Sequence, residues 1–266
     1  MARTVDYDHI AKTYDRRYQE NDYSGVEAAL MAFVGERADQ HILEVGCGTG
    51  HWLRLLDGAG VPVAGVDTSA RMLAQARVQA PRAALVRGAA ERLPWTRESL
   101  DRVFCINALH HFQDTIAFLT EAMRVLRPSG QLMTVGLDPH VGVDQWYVYE
   151  YFENALEADR RRYSASTQIR DWMRACGFAD CVTREVQHLP VRLGARVALE
   201  QGRLDQCVTS QLSLLSDAEY CQGLDRIREA VASSEDRGES LFLYADLRLY
   251  ATFGTVSSSR QREGRV

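Results

Sequence analysis

One stretch of the chain combines residue types and spacing that chemistry can use: Leu43-Glu44-Val45-Gly46-Cys47-Gly48-Thr49-Gly50, where an apolar run gives way to a helical pattern. Glycines at such a turn permit positive φ and let a ligand approach the backbone with no Cβ between. The spacing Gly46-x-Gly48-x-Gly50 puts His51 where a dinucleotide fingerprint needs its third glycine, which argues against a nicotinamide or flavin. No Gly-Lys-Ser/Thr follows, so a phosphate-cradling P-loop is excluded. Further on, the run Val63-Ala64-Gly65-Val66 ends in Asp67, close to the spacing at which an acid grips ribose hydroxyls. A nucleoside without a pyrophosphate fits both features. Taken singly, each also fits a tight turn and a helix N-cap.

The elements that must position these residues alternate in period. Short apolar runs at His41 to Val45, Val61 to Val66, Ala83 to Val86, Val103 to Ile106 and Leu132 to Val135 have strand length and are flanked by Gly, Asp or Pro. Helical segments lie between them. In the clearest, Asp114 caps a helix with Ile116, Leu119, Met123 and Leu126 on one face, before Arg127-Pro128-Ser129-Gly130. This rhythm predicts an α/β fold with a parallel sheet covered on both faces. Beyond Gly136 a helix reads from Ser166 to a stop at Gly177, and a strand follows over Cys181 to Val186. Residues 191–238 read as all helical, with a capping box at Ser216-x-x-Glu219, and Leu241 to Phe253 alternate as a long half-buried strand.

The 266 residues, 46% hydrophobic and 25% charged, predict one large globular domain or two small ones. No apolar run approaches the roughly 18 residues needed to cross a bilayer, and the first residues do not read as a signal peptide, so the expected address is the cytoplasm. The six cysteines include no Cys-x-x-Cys pair, so neither a disulfide framework nor a zinc site is expected. A net charge of −5 counts against broad binding to a nucleic-acid backbone, leaving only a local basic groove open.

Further motifs follow in order. They are Asp67-Thr68-Ser69-x-x-Met72-Leu73, then Gly88-Ala89-Ala90-Glu91-Arg92-Leu93-Pro94-Trp95, then Leu100-Asp101-x-Val103-x-Cys105-x-Asn107-Ala108-Leu109-His110-His111, and Leu126-Arg127-Pro128-x-Gly130-Gln131-Leu132. Together with Glu44 to Gly50, this series resembles the class I S-adenosylmethionine-dependent methyltransferases, specifically the small-molecule "type 11" group that includes quinone-biosynthesis-like enzymes. The resemblance covers roughly Tyr7 to Val135 well and the remainder loosely.

The resemblance implies a Rossmann-like doubly wound seven-stranded sheet, its last strand antiparallel, with helical cap segments. It implies S-adenosylmethionine as cofactor and S-adenosylhomocysteine as product. Glu44, Gly46, Cys47, Gly48 and Gly50 would face the methionine portion, with Asp67 and Thr68 at the ribose. Met72, Ala89, Ala90 and Glu91 would meet the adenine beside Leu93, and Asn107, Ala108 and Leu109 would border the site. Ala89 stands where the family usually has Asp, so a hydrogen bond to the adenine amino group is in doubt. An aromatic N-terminal segment that includes Tyr14 would fold over the cofactor as a lid, or simply pack on the sheet.

Residues after the fourth strand border the methyl group in this family, which makes His111 the first candidate for a general base, followed by His110, then Asp138 and His140. No Asn/Asp-Pro-Pro-Tyr/Phe signature or Pro-Cys nucleophile follows that strand, and no carboxylate cluster suggests a metal. The expected reaction is methylation of a small-molecule oxygen, nitrogen or carbon. The acceptor would be aromatic or lipophilic, roofed by Trp146 to Phe152 and the helical insertion. Arg160-Arg161-Arg162 reads as a solvated helix face.

The expected layout is a single domain over residues 1–256, with a lid (1–36), a cofactor half (37–137), a substrate side (138–240) holding the insertion 191–238, and the last strand (241–256). A disordered tail would follow at 257–266. The partner expected is the small-molecule acceptor, with neither nucleic acid nor membrane, in a monomer or homodimer. An RNA-directed methyltransferase and a protein that binds the cofactor without transferring its methyl group are the alternatives.

Overall fold

The structure, a computed structural model, describes Asp15, Tyr18 and residues 21–35, 39–206 and 208–258. Strand β1 (Ile42–Val45) is buried at every position, as expected of a strand covered on both faces. It pairs in parallel with β2 (Val63–Asp67) on one side and β4 (Leu100–Ile106) on the other. β3 (Ala84–Arg87) extends the sheet beyond β2, and β5 (Leu126–Leu137) extends it beyond β4, both parallel.

The last strand runs antiparallel to its neighbours, as expected. β8 (Phe242–Val256) runs beside β5 along Gln131–Leu137, beside a two-residue β6 (Gln145–Trp146), and along its other edge beside β7 (Phe178–Gly194). The result is an 8-stranded sheet of order β3-β2-β1-β4-β5-β8-β6, with β7 paired to β8. The order reverses between β1 and β4, which opens a crevice at the carboxyl ends of these strands.

Between the strands lie α2 (His51–Gly58), α3 (Ala70–Gln79) and α4 (Thr115–Val125), and α1 (Ser24–Val34) precedes β1. Local chemistry starts two of them. Ser69 Oγ accepts from the Met72 amide (3.1 Å) to cap α3, and Asp114 Oδ1 accepts from the Ala117 amide (2.9 Å) to cap α4. One apolar cluster unites Leu43, Val103 and Leu132 with Phe118 and Leu119 of α4, and with Met173 of α7 (Ser166–Ala175). A second joins Phe104 and Met133 to Leu30 of α1 and Leu53 of α2.

A third cluster stands apart, above the strand ends. It is built by α5 (Tyr147–Tyr151), α6 (Ala155–Arg162), α8 (Ala195–Glu200), α9 (Ser210–Leu214) and α10 (Asp217–Asp236). In α10, Ser216 and Glu219 form the reciprocal capping box that their spacing predicts.

Four details differ from the sequence reading. The sheet has eight strands because Gln145–Trp146 adds a short pairing to β8. β7 continues to Gly194, so the helical insertion begins at Ala195 and not at 191. Leu126 opens β5 instead of closing α4, its side chain fully buried. Arg162 is not solvated; it pairs at 2.8 Å with Asp159, whose side chain is 1% exposed. No helix among the described residues is long and apolar enough to cross a membrane.

Candidate active site

The turn after β1 is built from left-handed backbone: φ is +73° at Gly46, +51° at Gly48 and +85° at Gly50. A Cβ on Gly46 would stand 2.5 Å from the Ala108 Cβ, and one on Gly50 2.9 Å from the Ala76 Cα, so both positions are closed to larger residues. The Gly46 and Cys47 amides donate to the Val66 carbonyl (2.8 and 3.1 Å), which ties the turn to the end of β2. Asp67, the last residue of β2, accepts from the Gly48 amide on Oδ2 (2.9 Å) and from the Ser69 amide on Oδ1 (2.9 Å).

Glu44 is 1% exposed, and its Oε2 meets no hydrogen-bond partner among the described residues. Burial, reinforced by the nearby charge of Asp67, pushes its carboxyl well above the usual range. The same burial, with Glu44 and Asp67 adding to it, raises the Cys47 thiol, and burial lifts Cys105 to about 12. Neither sulfur is a thiolate near neutral pH, so neither is a nucleophile. The arrangement is a glycine cradle beside a desolvated carboxyl whose Oε2 meets no partner among the described residues, which a cationic ligand would complete.

Around the cradle the structure disposes the other expected residues unevenly. Met72 and Leu93 are buried (1% and 3% exposed), as is Ala90 at 6%, whereas Thr68 and Ala89 are exposed. Glu91 is taken up in the fold: its Oε1 accepts from the amides of Gln113 (2.7 Å) and Asp114 (3.3 Å) and so ties the loop after β3 to the start of α4. Asn107 has φ +52° and donates its amide to the Val135 carbonyl (2.8 Å), ahead of a one-turn helix at Leu109–His111. Ala108 and Leu109 are buried beneath that turn.

Tyr14 and most of the N-terminal segment lie outside the described residues. Of its neighbours, Asp15 accepts from Thr49 Oγ1 (2.5 Å) and from Gln79, and the Tyr18 ring stacks on His51 at 3.6 Å and 6°.

Beyond the crevice lies a cavity of about 280 Å³. Asn107, His110 and His111 border it at the strand ends; Leu189, Val191 and Leu193 of β7 with Ala245, Leu247 and Leu249 of β8 form an apolar wall. Trp146, Tyr147 and Tyr163 add aromatic surface, and Arg203, Asp205, Ser210 and Gln211 add polar groups from the helical cap. The His110 and His111 rings touch, with centroids 3.8 Å apart.

The remaining base candidates are placed otherwise. Asp138 is buried and accepts from the amides of His140 (3.0 Å) and Ser166 (2.7 Å). His140 does not border the cavity; its Nε2 lies 2.7 Å from the Tyr163 carbonyl oxygen, to which it can only donate.

The sequence reading did not single out Tyr163, Gln211 or Arg203, because they lie in connections or short helices that carry no repeating pattern. The β8 part of the apolar wall did have a signal, the alternation through Ala245, Leu247 and Leu249.

Residues 43–134 match the family model described as a methyltransferase domain. A phthiotriol/phenolphthiotriol dimycocerosates methyltransferase of Mycobacterium leprae is 39% identical over 113 residues, covering 41% of this chain and 42% of that protein, so less than half of that relative's length is spanned. A demethylmenaquinone methyltransferase of Beutenbergia cavernae is 28% identical over 188 residues, covering 65% of this chain and 77% of the relative. Among solved structures, the Haemonchus contortus phosphoethanolamine N-methyltransferase 2 bound to S-adenosyl-L-methionine superposes with a TM-score of 0.61 at 19% identity. It covers 96% of this chain and 60% of the other, and at that identity it speaks for the fold alone.

Proposed function

We propose, since residues 43–134 match a methyltransferase domain and the sheet is Rossmann-like, that the protein moves a methyl group from S-adenosylmethionine to a small aromatic or lipophilic acceptor seated in the roofed cavity. The proposal takes residues 1–256 as one functional unit acting in the cytoplasm as a monomer or homodimer. The observation that carries it is the aromatic-lined, largely apolar cavity bordered by Asn107, His110 and His111, whose neighbour Ala108 packs against Gly46 of the glycine turn.

The residues fit the cofactor chemically. The Glu44 carboxyl, whose Oε2 meets no hydrogen-bond partner among the described residues, suits a ligand carrying positive charge, and the left-handed Gly46 and Gly48 backbone would lie beside its amino-acid portion. Asp67 offers acceptors to ribose hydroxyls, and buried Met72 and Leu93 offer apolar faces to adenine, whose edge would meet the Ala90 amide. When bound, the cofactor supplies an electrophilic methyl group on a sulfonium, whose sulfur keeps the bonding pair and leaves as a neutral thioether.

The chain's own contribution is then largely placement. The apolar walls exclude water and orient the acceptor atom toward the strand ends. Where that atom arrives as a hydroxyl, a protonated amine or an acidic carbon, the proton passes to an imidazole, His111 first and His110 next to it. Relatives named for demethylmenaquinone and phthiotriol dimycocerosates support an acceptor of lipophilic character.

The test is a transfer assay with methyl-labelled S-adenosylmethionine and an organic extract rich in phenols and hydroxylated lipids. Label should move into the organic phase, at least tenfold less with His111→Ala, whose cofactor binding should be unchanged. Label that stays wholly in the aqueous phase, despite intact cofactor binding, would overturn the transferase reading in favour of a binding protein.

A further inference from the structure

We propose that Tyr163 is a positioning residue for the His110–His111 pair, a role that rests on the reading of that pair as the proton acceptor of the acceptor cavity. Tyr163 follows the last residue of α6, in the short connection to α7, and is 7% exposed. Its ring lies face to face with His110, centroids 3.9 Å apart at 24°, and His110 in turn touches His111 at 3.8 Å and 51°. The three rings form a file from the cap into the cavity.

The file is anchored at its outer end from several directions. The Tyr163 carbonyl accepts from His140 Nε2 (2.7 Å), and Asp138 fixes both His140 and Ser166 through their amides. The Gln211 side-chain amide donates to the Tyr163 hydroxyl (3.5 Å) and to Asp159 Oδ2 (3.0 Å), and Asp159 also receives Tyr149 Oη and Arg162 Nε. The Arg162 guanidinium carbon lies 4.9 Å from the Tyr163 ring centroid. Gln211 of α9 and Arg162 of α6 thus meet the Tyr163 side chain directly, while His140, just after β5, holds its backbone carbonyl. A ring needed only to fill space would not require its hydroxyl and its face to be held separately.

Tyr163 is also a partition. With His110 and Leu137 it borders both the large cavity and a hollow of about 30 Å³ against Ser166, Ile169, Tyr250 and Thr252. That hollow has room for about one water. Removing the ring would join the two spaces and take away the face against which His110 holds its present orientation. His111 rests against His110, so its own orientation toward the acceptor would be lost too.

The test compares Tyr163→Phe, which keeps the ring, with Tyr163→Leu, which removes it, on the full chain. One readout needs no turnover: imidazole proton–carbon spectra of the ligand-free protein. Stacking places the His110 ring protons in the shielding region of Tyr163, so their resonances should move downfield in Tyr163→Leu and stay near wild type in Tyr163→Phe.

The second readout is steady-state kinetics with whichever extract component accepts the methyl group. Tyr163→Leu should lower kcat about tenfold or more while acceptor KM and S-adenosylmethionine affinity stay within about threefold, and Tyr163→Phe should restore kcat. Unmoved His110 resonances, a loss confined to KM, or a Phe variant as impaired as Leu would each overturn the positioning role. Failure of the wild type to transfer methyl at all would instead overturn the functional reading beneath it.

Discussion

Glu44 sets burial against charge. Its carboxyl is desolvated and lies near Asp67, so the folded chain holds a proton there at pH values where an exposed glutamate, near 4.5, has lost it. Because the folded state binds the extra proton, its stability falls as pH rises from about 4.5 through the raised value. Glu44→Gln should therefore melt higher than wild type at pH 8 without ligand, and the gap should close as pH drops toward 4.5; thermal melts across that range would show it, and a pH-independent gap would count against it. Asp67 acts differently, since its acceptors serve both the turn and a ligand. Asp67→Ala should weaken S-adenosylmethionine binding by about 1.5–3 kcal/mol by calorimetry, and unchanged affinity would refute its assignment to the ribose. At Gly46 the constraint is steric: Gly46→Ala meets Ala108 at 2.5 Å with φ at +73°, so a loss of about 1–3 kcal/mol in chemical denaturation is expected, together with weaker cofactor binding.

At the scale of elements, α10 closes the cap, and its first turn depends on the Ser216–Glu219 box. Ser216→Ala should cost about 1 kcal/mol in a denaturation curve. It should raise acceptor KM while leaving cofactor affinity alone, because the glycine turn belongs to a different apolar cluster. Equal effects on both ligands would mean the cap and the cofactor half are not separable. This helix was legible because a capping box is written within four residues. So were β1, β2 and β4, whose short, mostly apolar runs are bounded by polar or glycine-rich turns. β7 was legible only in part: polar Thr183, Arg184, Glu185 and His188 interrupt it, and its pairing with β8 is decided by residues far along the chain, from Phe242 opposite Gly194 to Val256 opposite Phe178. The glycine turn could be read because positive φ is a local demand. The aromatic file through Tyr163 could not, since nothing in the residues around it encodes which ring it meets.

Considered whole, the molecule joins a sheet with its two covering apolar clusters to a separately packed cap, with the crevice at their junction. A ligand held by both β1 and β2 should stabilise the chain as a unit. At a concentration one hundred times its Kd, S-adenosylhomocysteine should add about 2.7 kcal/mol. For a chain of this size that raises Tm by roughly 5–10 °C. NAD at the same concentration should add nothing, since His51 occupies the third-glycine position. The central claim is that the glycine turn and Asp67 together form a binding site for S-adenosylmethionine. Equilibrium dialysis of the purified, folded protein against the labelled compound tests it most directly. Saturable uptake approaching one equivalent per chain is expected, displaced by S-adenosylhomocysteine and not by NAD. Folded protein that retains no label at millimolar ligand would contradict it.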